Sequence, residues 1–236
     1  MTDFFRFPHT PHVTWLGETP PRDDKVLDPA EVAELLSAAV VIEEKIDGAN
    51  LGFSVTEEGS LRCQNRGTYL TPENAHPQFK PLWRWLAPRQ DALVEALWPN
   101  LMIFGEWCHA LHSVEYDHLP DWYLAFDVYD REAQRFWSPG RRDALLAPLG
   151  IYPAPHLAAG HLTLDAIKDL LGPSRLGAQP MEGLVVRHCD AEWTLARAKL
   201  VRASFIQAID THWSRGPLRL NRLADPGVFG AWPTAR

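Results

Sequence analysis

Strand-like stretches are scattered along this chain without the regular strand–helix–strand alternation of a doubly wound sheet, and that spacing constrains the fold most. Val40 to Glu44, Leu51 to Thr56 and Leu61 to Asn65 alternate or run apolar, with Glu57-Glu58-Gly59-Ser60 as a turn between the last two. Leu101 to Trp107, Trp122 to Tyr129, Gly183 to Arg187 and Trp193 to Val201 read as further strands. Helical patterns fall unevenly among them. Asp28-Pro29 opens a helix through about Ala39, since Asp caps first-turn amides and Pro suits that turn. Apolar residues recur at helical spacing from Pro77 to Trp98 with an interruption near Pro88, and again from Pro139 to Leu146 and from Leu164 to Leu171. The mixture predicts the α+β class.

With 236 residues, 46% of them hydrophobic, the chain is long enough for a large core, and a single domain over residues 1–236 is expected. Residues 1–30, carrying Pro8, Pro11, Pro20, Pro21 and Pro29, are expected to form an irregular arm on the surface. Residues 203–236 are expected to form a short C-terminal tail. Cys63, Cys108 and Cys189 are far apart and form no disulfide framework or four-cysteine zinc pattern, which points to a reducing, cytoplasmic setting. No signal peptide is expected, and no apolar run approaches the roughly 20 residues that cross a bilayer, so no membrane partner is expected. The net charge of −7 argues against a coat protein for nucleic acid, although Arg197, Lys199, Arg202, Arg215, Arg219 and Arg222 face only Asp210 near the C-terminal end.

The chemistry concentrates in Glu43-Glu44-Lys45-Ile46-Asp47-Gly48-Ala49-Asn50. A lysine partly withdrawn from water or facing other cations loses its proton readily and can attack an electrophile, and Gly48 permits a close backbone approach. The same residues also suit a surface hairpin, with Val40-Val41-Ile42 ending a strand and Asp47-Gly48 making the turn. Cys108, His109, His112 and His118 do not repeat a zinc-ligand spacing, and Ser113 to His118 is expected to be a loop beside the pocket. Most tryptophans are expected in the core, some as stacking platforms.

Several of these stretches, in order over about residues 43 to 202, resemble the motifs of the covalent nucleotidyltransferases: ATP-dependent RNA and DNA ligases and mRNA capping enzymes. Lys45-Ile46-Asp47-Gly48 resembles the motif whose lysine is nucleotidylated, and Arg66 in Gln64-Asn65-Arg66-Gly67 resembles the arginine that follows it. Phe104-Gly105-Glu106-Trp107, Phe126-Asp127 and Met181-Glu182-Gly183-Leu184-Val185-Val186-Arg187 resemble the next three, and Ala198-Lys199-Leu200-Val201 the last. The forms Glu44-Lys45-Ile46-Asp47-Gly48-Ala49-Asn50 and Glu-Gly-Leu-Val-Val-Arg are most similar to those of RNA ligases.

The resemblance implies two mainly antiparallel sheets flanked by helices, with an ATP site between them. It implies that Lys45 attacks the α-phosphorus of ATP, AMP passes to a nucleic-acid 5′-phosphate, and a 3′-hydroxyl then displaces AMP. Lys199 and Glu182 would join Lys45 in catalysis. Glu44, Asp47, Gly48, Asn50, Arg66, Glu106, Phe126, Glu182, Lys199 and Arg202 would bind the nucleotide, with Phe126 against adenine, Glu106 on the ribose and Arg66 on a phosphate or the ribose. Mg²⁺ or Mn²⁺ would be held by Glu182, with Asn50 through water. Glu44 and Asp47 would raise the lysine's pKa, so the metal or Lys199 must oppose them.

Two features depart from the family pattern. A Lys-x-Lys close is replaced by Lys199-Leu200-Val201-Arg202, leaving Arg197 or Arg202 as the second cation. Only 34 residues follow Arg202, too few for an appended OB-fold domain. The chain is then expected to self-adenylylate but seal weakly, or else to hold the substrate with Arg215, Arg219 and Arg222 of the 211–236 tail or with the help of a partner. RNA ends or a nicked RNA-containing duplex are the implied partners, alongside an end-healing kinase or phosphatase. The alternatives are a minimal DNA ligase, a capping-type guanylyltransferase, or a non-catalytic module that binds nucleotide or RNA ends.

Overall fold

The computed structural model describes residues 4–18, 25–208 and 218–227. Its strands are β1 (Val40–Lys45), β2 (Ala49–Val55), β3 (Leu61–Gln64), β4 (Tyr69–Leu70), β5 (Leu101–Trp107), β6 (Tyr123–Asp130), β7 (Arg135–Phe136), β8 (Tyr152–Pro153), β9 (His156–Gly160), β10 (Gly183–Cys189) and β11 (Thr194–Val201). Its helices are α1 (Pro29–Leu35), α2 (Leu82–Leu86), α3 (Gln90–Leu97), α4 (Pro139–Leu146), α5 (Leu164–Lys168) and α6 (Ala203–Ala208). The strands form a four-stranded sheet in the order β11-β10-β1-β9 and a seven-stranded sheet along β4-β3-β2-β5-β6-β7, with β8 joined parallel to β6. Every other pairing within the sheets is antiparallel, so the α+β expectation holds.

Each sheet buries one face on its own core. Leu51, Phe53 and Val55 of β2 alternate into the larger core, where Trp85 and Leu82 of α2 and Leu93 and Leu97 of α3 cover them. Ile42, Leu184, Val186, Ala198 and Leu200 pack with Leu35 of α1 and Ile167 of α5 in the second core. Burying a side chain of this size contributes ~1.5–3 kcal/mol, so each sheet is held firmly to the helices that cover it. The helix at Asp28 forms with a full capping box, Asp28 accepting from Ala30 and Glu31 N–H while Glu31 accepts from Asp28 N–H, but it ends at Leu35 rather than near Ala39. The broken helical pattern over 77–98 becomes a 3-10 turn at Pro77–Phe79 followed by α2 and α3.

The N-terminal arm is irregular and much of it stays partly exposed, but it is anchored by the buried Phe7, His12 and Val13. Gln64 Nε2 donates to the Phe5 carbonyl from β3 at 2.8 Å, while Lys199 N–H donates to the Pro11 carbonyl from β11 at 2.8 Å. The arm therefore spans from one sheet to the other. Its core contact is aromatic, Phe5 stacking on Tyr129 at 4.0 Å and Phe7 lying 5.0 Å from Phe104. Pro20 and Pro21 lie outside the described residues.

Candidate active site

Residues 45–49 are the crossing between the sheets: β1 ends at Lys45 in one, and β2 begins at Ala49 in the other. Asp47-Gly48 therefore does not close a hairpin. The turn is fixed from below, with Ser113 and Val114 N–H donating to Asp47 Oδ2 at 2.7 Å each and Asp47 N–H donating to the Tyr116 hydroxyl at 2.8 Å. Gly48 lies against β5, where an added Cβ would sit 3.0 Å from the Trp107 carbonyl oxygen and 3.2 Å from Cys108 Sγ. A side chain at this position would need β5 or the crossing to give way by a few tenths of an ångström.

Strand alternation decides which acid meets the lysine. Glu44 and Lys45 point to opposite faces of β1, and the Glu44 carboxylate accepts from the Ser174 hydroxyl and from Arg175 N–H at 2.8 Å. The partner of Lys45 is Glu182, with Nζ 2.8 Å from Oε2. Lys45 lies opposite Gly183 in the β1–β10 ladder, and a Cβ on Gly183 would meet the Leu200 carbonyl at 2.2 Å. Glycine after Glu182 is thus what lets β10 and β11 pair while the acid reaches the lysine. Glu106 approaches from the other sheet, on β5, opposite Asn50 of β2.

Burial is the largest influence on both acids, pushing Glu106 up to about 8 and Glu182 up to about 7 against the pull of Lys45. Burial works to lower the Lys45 pKa, but Glu182 and then Glu106 outweigh it and hold the ammonium above its ordinary value. Asp47 contributes less, and Glu44, expected to act on Lys45, faces away. Lys45 is therefore protonated in this arrangement. It becomes a nucleophile only when another positive charge takes up the carboxylates.

A pocket of about 270 Å³ opens at this lysine. Glu44, Lys45, Glu182, Glu106, Arg66, Phe126 and Lys199 line it. Phe126 reaches the pocket through a β-bulge: Phe104 pairs with Asp127 and Gly105 with Ala125, which leaves Phe126 as the extra residue. Its carbonyl accepts from Arg142 at 2.7 Å and Arg187 at 2.9 Å. These arginines belong to a buried charge network that joins the sheets. Glu43 accepts from Arg142 and Arg187 at 2.6 and 2.7 Å, Arg187 also reaches Asp127 at 2.7 Å, and Arg197 reaches Asp127 at 2.6 Å. Although burial opposes its charge, Arg187 and Arg142 hold the Glu43 carboxyl below its ordinary value.

Four expected site residues lie off the pocket wall. Asp47 and Gly48 shape the crossing. Asn50 sits beside Glu106, and its amide oxygen and nitrogen are buried without a partner, as is Glu106 Oε2. Arg202 is a correction: its Nε donates to the Met181 carbonyl at 2.8 Å and its Nη1 to Ser204, so it fixes the approach to Glu182 rather than facing the pocket. Of the two candidate second cations, Arg197 lines the pocket, stacked over Phe7 and Phe136 at 4.6 and 4.1 Å.

Sequence reasoning missed the arm residues Phe7, His9 and Thr10, which line the pocket. The alternating aromatics Phe5 and Phe7 were the available signal of a packed segment. Ser113 to His118 does not line the pocket; it supports Asp47. Among the described residues no group of three or more His, Cys, Asp or Glu side chains has metal-holding geometry, and His112 bonds Gln78 instead. Arg215 lies outside the described residues, while Arg219 and Arg222 lie within 3.7 Å of Glu115. Trp85 and Trp107 are core residues.

Two mainly antiparallel sheets with an acid-flanked lysine where the chain crosses between them define a domain of the nucleotidyltransferase type. The chain belongs to the RNA ligase family, whose model matches residues 38–201. Its fold is similar to that of a Naegleria gruberi RNA ligase solved with PPi, at 17% identity and a TM-score of 0.62 over 87% of this chain and 64% of that one. A mutant of that ligase solved with ATP and Mn gives 16% identity and a TM-score of 0.58 over 77% and 55% of the two chains. Another, solved with AMP and Mn, gives 16% and 0.58 over 87% and 64%. The chain thus spans between 55% and 64% of the length of these structures. No curated protein shows a significant sequence match to it.

Proposed function

We propose that this chain is an ATP-dependent RNA ligase acting in RNA repair or processing, with Lys45 as its nucleophile. The observation that carries the reading is a lysine held 2.8 Å from Glu182 at the wall of a pocket between two sheets, in a member of the RNA ligase family. Neutral Lys45 Nζ attacks the α-phosphorus of ATP, forming the P–N bond as the P–O bond to pyrophosphate breaks. AMP is then transferred to the 5′-phosphate of an RNA end, and the 3′-hydroxyl of the other end attacks that phosphate and releases AMP.

The residues fit these groups. The unpartnered Glu106 Oε2 suits a ribose hydroxyl, Phe126 at its bulge suits a base, and Arg66, Arg197 and Lys199 suit phosphate oxygens. Mg²⁺ or Mn²⁺ would supply the positive charge that draws the carboxylates away from Lys45. Glu182 would hold it, with Asn50 acting through water. A site with so few protein ligands suits a metal that keeps waters and phosphate oxygens around it. The similar Naegleria structures solved with ATP and Mn agree with this choice. RNA ends or a nicked RNA-containing duplex are the substrates, and an end-healing kinase or phosphatase would supply them. No helix among the described residues is long and apolar enough to cross a membrane. We place the protein in the cytoplasm, in keeping with its free cysteines.

Incubation with α-labelled ATP and Mg²⁺, beside Lys45→Ala, tests the reading. An acid-labile label on the wild type alone is expected. No label from ATP, GTP or NAD⁺ would leave a non-catalytic binding module in its place. Parallel assays with GTP and nicked DNA separate capping and DNA-ligase chemistry.

A further inference from the structure

We infer that residues 218–224 form a strap that positions Lys45, with Asn221 as its positioning residue. The inference rests on reading Lys45 as the nucleophile. The chain from Cys108 to Leu119 has almost no regular structure, yet it supplies the groups that hold Asp47. Such a segment keeps its shape only if its backbone polar groups find partners elsewhere.

The strap provides them. Leu111 N–H donates to the Arg219 carbonyl at 2.9 Å and Leu119 N–H to the Arg222 carbonyl at 3.1 Å. In return, Asn221, Arg222 and Ala224 N–H donate to the carbonyls of His109, Tyr116 and Leu119 at 3.1, 2.9 and 2.8 Å. Asn221 is 3% exposed and uses its amide fully: Nδ2 donates to the carbonyls of Cys108 at 2.8 Å and Ala110 at 3.2 Å, and Oδ1 accepts from Tyr116 N–H at 2.9 Å. One side chain therefore ties both arms of the loop.

Tyr116 is the link to the lysine. Its backbone is held by Asn221, and its buried hydroxyl accepts from Asp47 N–H, two residues from Lys45. Asn221 does not line the pocket and lies beyond the family match, which ends at residue 201. The Arg219 and Arg222 side chains, 69% and 68% exposed, approach Glu115, while the backbone and Asn221 hold the loop.

The test combines Asn221→Ala, Tyr116→Phe and the double variant in the full chain. Asn221→Ala is expected to accelerate hydrogen exchange across residues 44–50, where the Asp47 amide lies. Each single variant is expected to slow lysine labelling by tenfold or more at saturating ATP, with the half-saturating ATP concentration changed less than twofold. The double variant is expected to be no more than twofold slower than the slower single, because both act through one chain of contacts. Unchanged exchange over 44–50, wild-type labelling by either folded variant, or effects that multiply would overturn the strap. Should Asn221→Ala fail to fold, Tyr116→Phe, which removes only the hydroxyl, decides by the same rate and exchange criteria. A wild type that takes no label counts against the nucleophile reading, and the exchange measurement still decides the strap.

Discussion

Glu106→Gln should stabilise the protein increasingly as pH rises. The Glu106 carboxyl, ordinarily near 4.5, is pushed by burial to about 8. Below pH 4.5 it is protonated whether the chain is folded or not, and stability is unaffected by it. Between 4.5 and 8 the unfolded chain ionises while the folded one does not, so folding loses ground as pH rises; above 8 the loss is complete. The interval of about 3.5 pH units at ~1.4 kcal/mol each gives ~5 kcal/mol, and contact with water in the pocket brings this to ~3 kcal/mol. Glutamine keeps the shape and never ionises. In a chain of this size ~3 kcal/mol corresponds to about 6–12 °C. Thermal unfolding of wild type and variant with EDTA, from pH 5 to pH 9, should show curves that coincide at the acid end and separate by that amount at the alkaline end. Parallel curves, or a wild type that gains on the variant with pH, would refute the reasoning.

Gly48→Ala places a methyl 3.0 Å from the Trp107 carbonyl and should cost ~1–3 kcal/mol in urea unfolding while slowing lysine labelling. Arg142→Met leaves the buried Glu43 with Arg187 as its remaining partner, and a loss of about 3 kcal/mol is expected by the same measurement. Arg197→Ala should reduce labelling tenfold or more through the pocket, whereas Arg202→Ala should act chiefly by loosening the Met181 carbonyl and lower the Tm more than it changes ATP affinity.

Much of the fold was legible because its central strands carry their own pattern. β2, β5 and β6 lie within a residue or two of where alternation and β-branched or aromatic residues put them. β9, with the sequence His156-Leu157-Ala158-Ala159-Gly160, carries no such pattern and is a strand only because β1 offers it an edge. β7 and β8 are too short to show a period. The arm's prolines signal irregular backbone correctly but say nothing about its anchor points, and Phe7 gains its place from Phe104 and Phe126, distant in sequence.

By itself the sequence determined which residue types are available for chemistry and in what order: a lysine before Asp-Gly, acids beside strands, and a glycine after Glu182. Those choices are local, set by side-chain reactivity and backbone freedom. Only the tertiary structure decided which of them meet. Alternation along β1 turned Glu44 to Ser174 and left Lys45 to Glu182, the bulge in β6 aimed Phe126, and the backbone after β11 drew Arg202 away while Arg197 stayed in the pocket. The physical reason is that pairing register and burial, which fix direction and charge state alike, arise from contacts between segments about 20 to 140 residues apart.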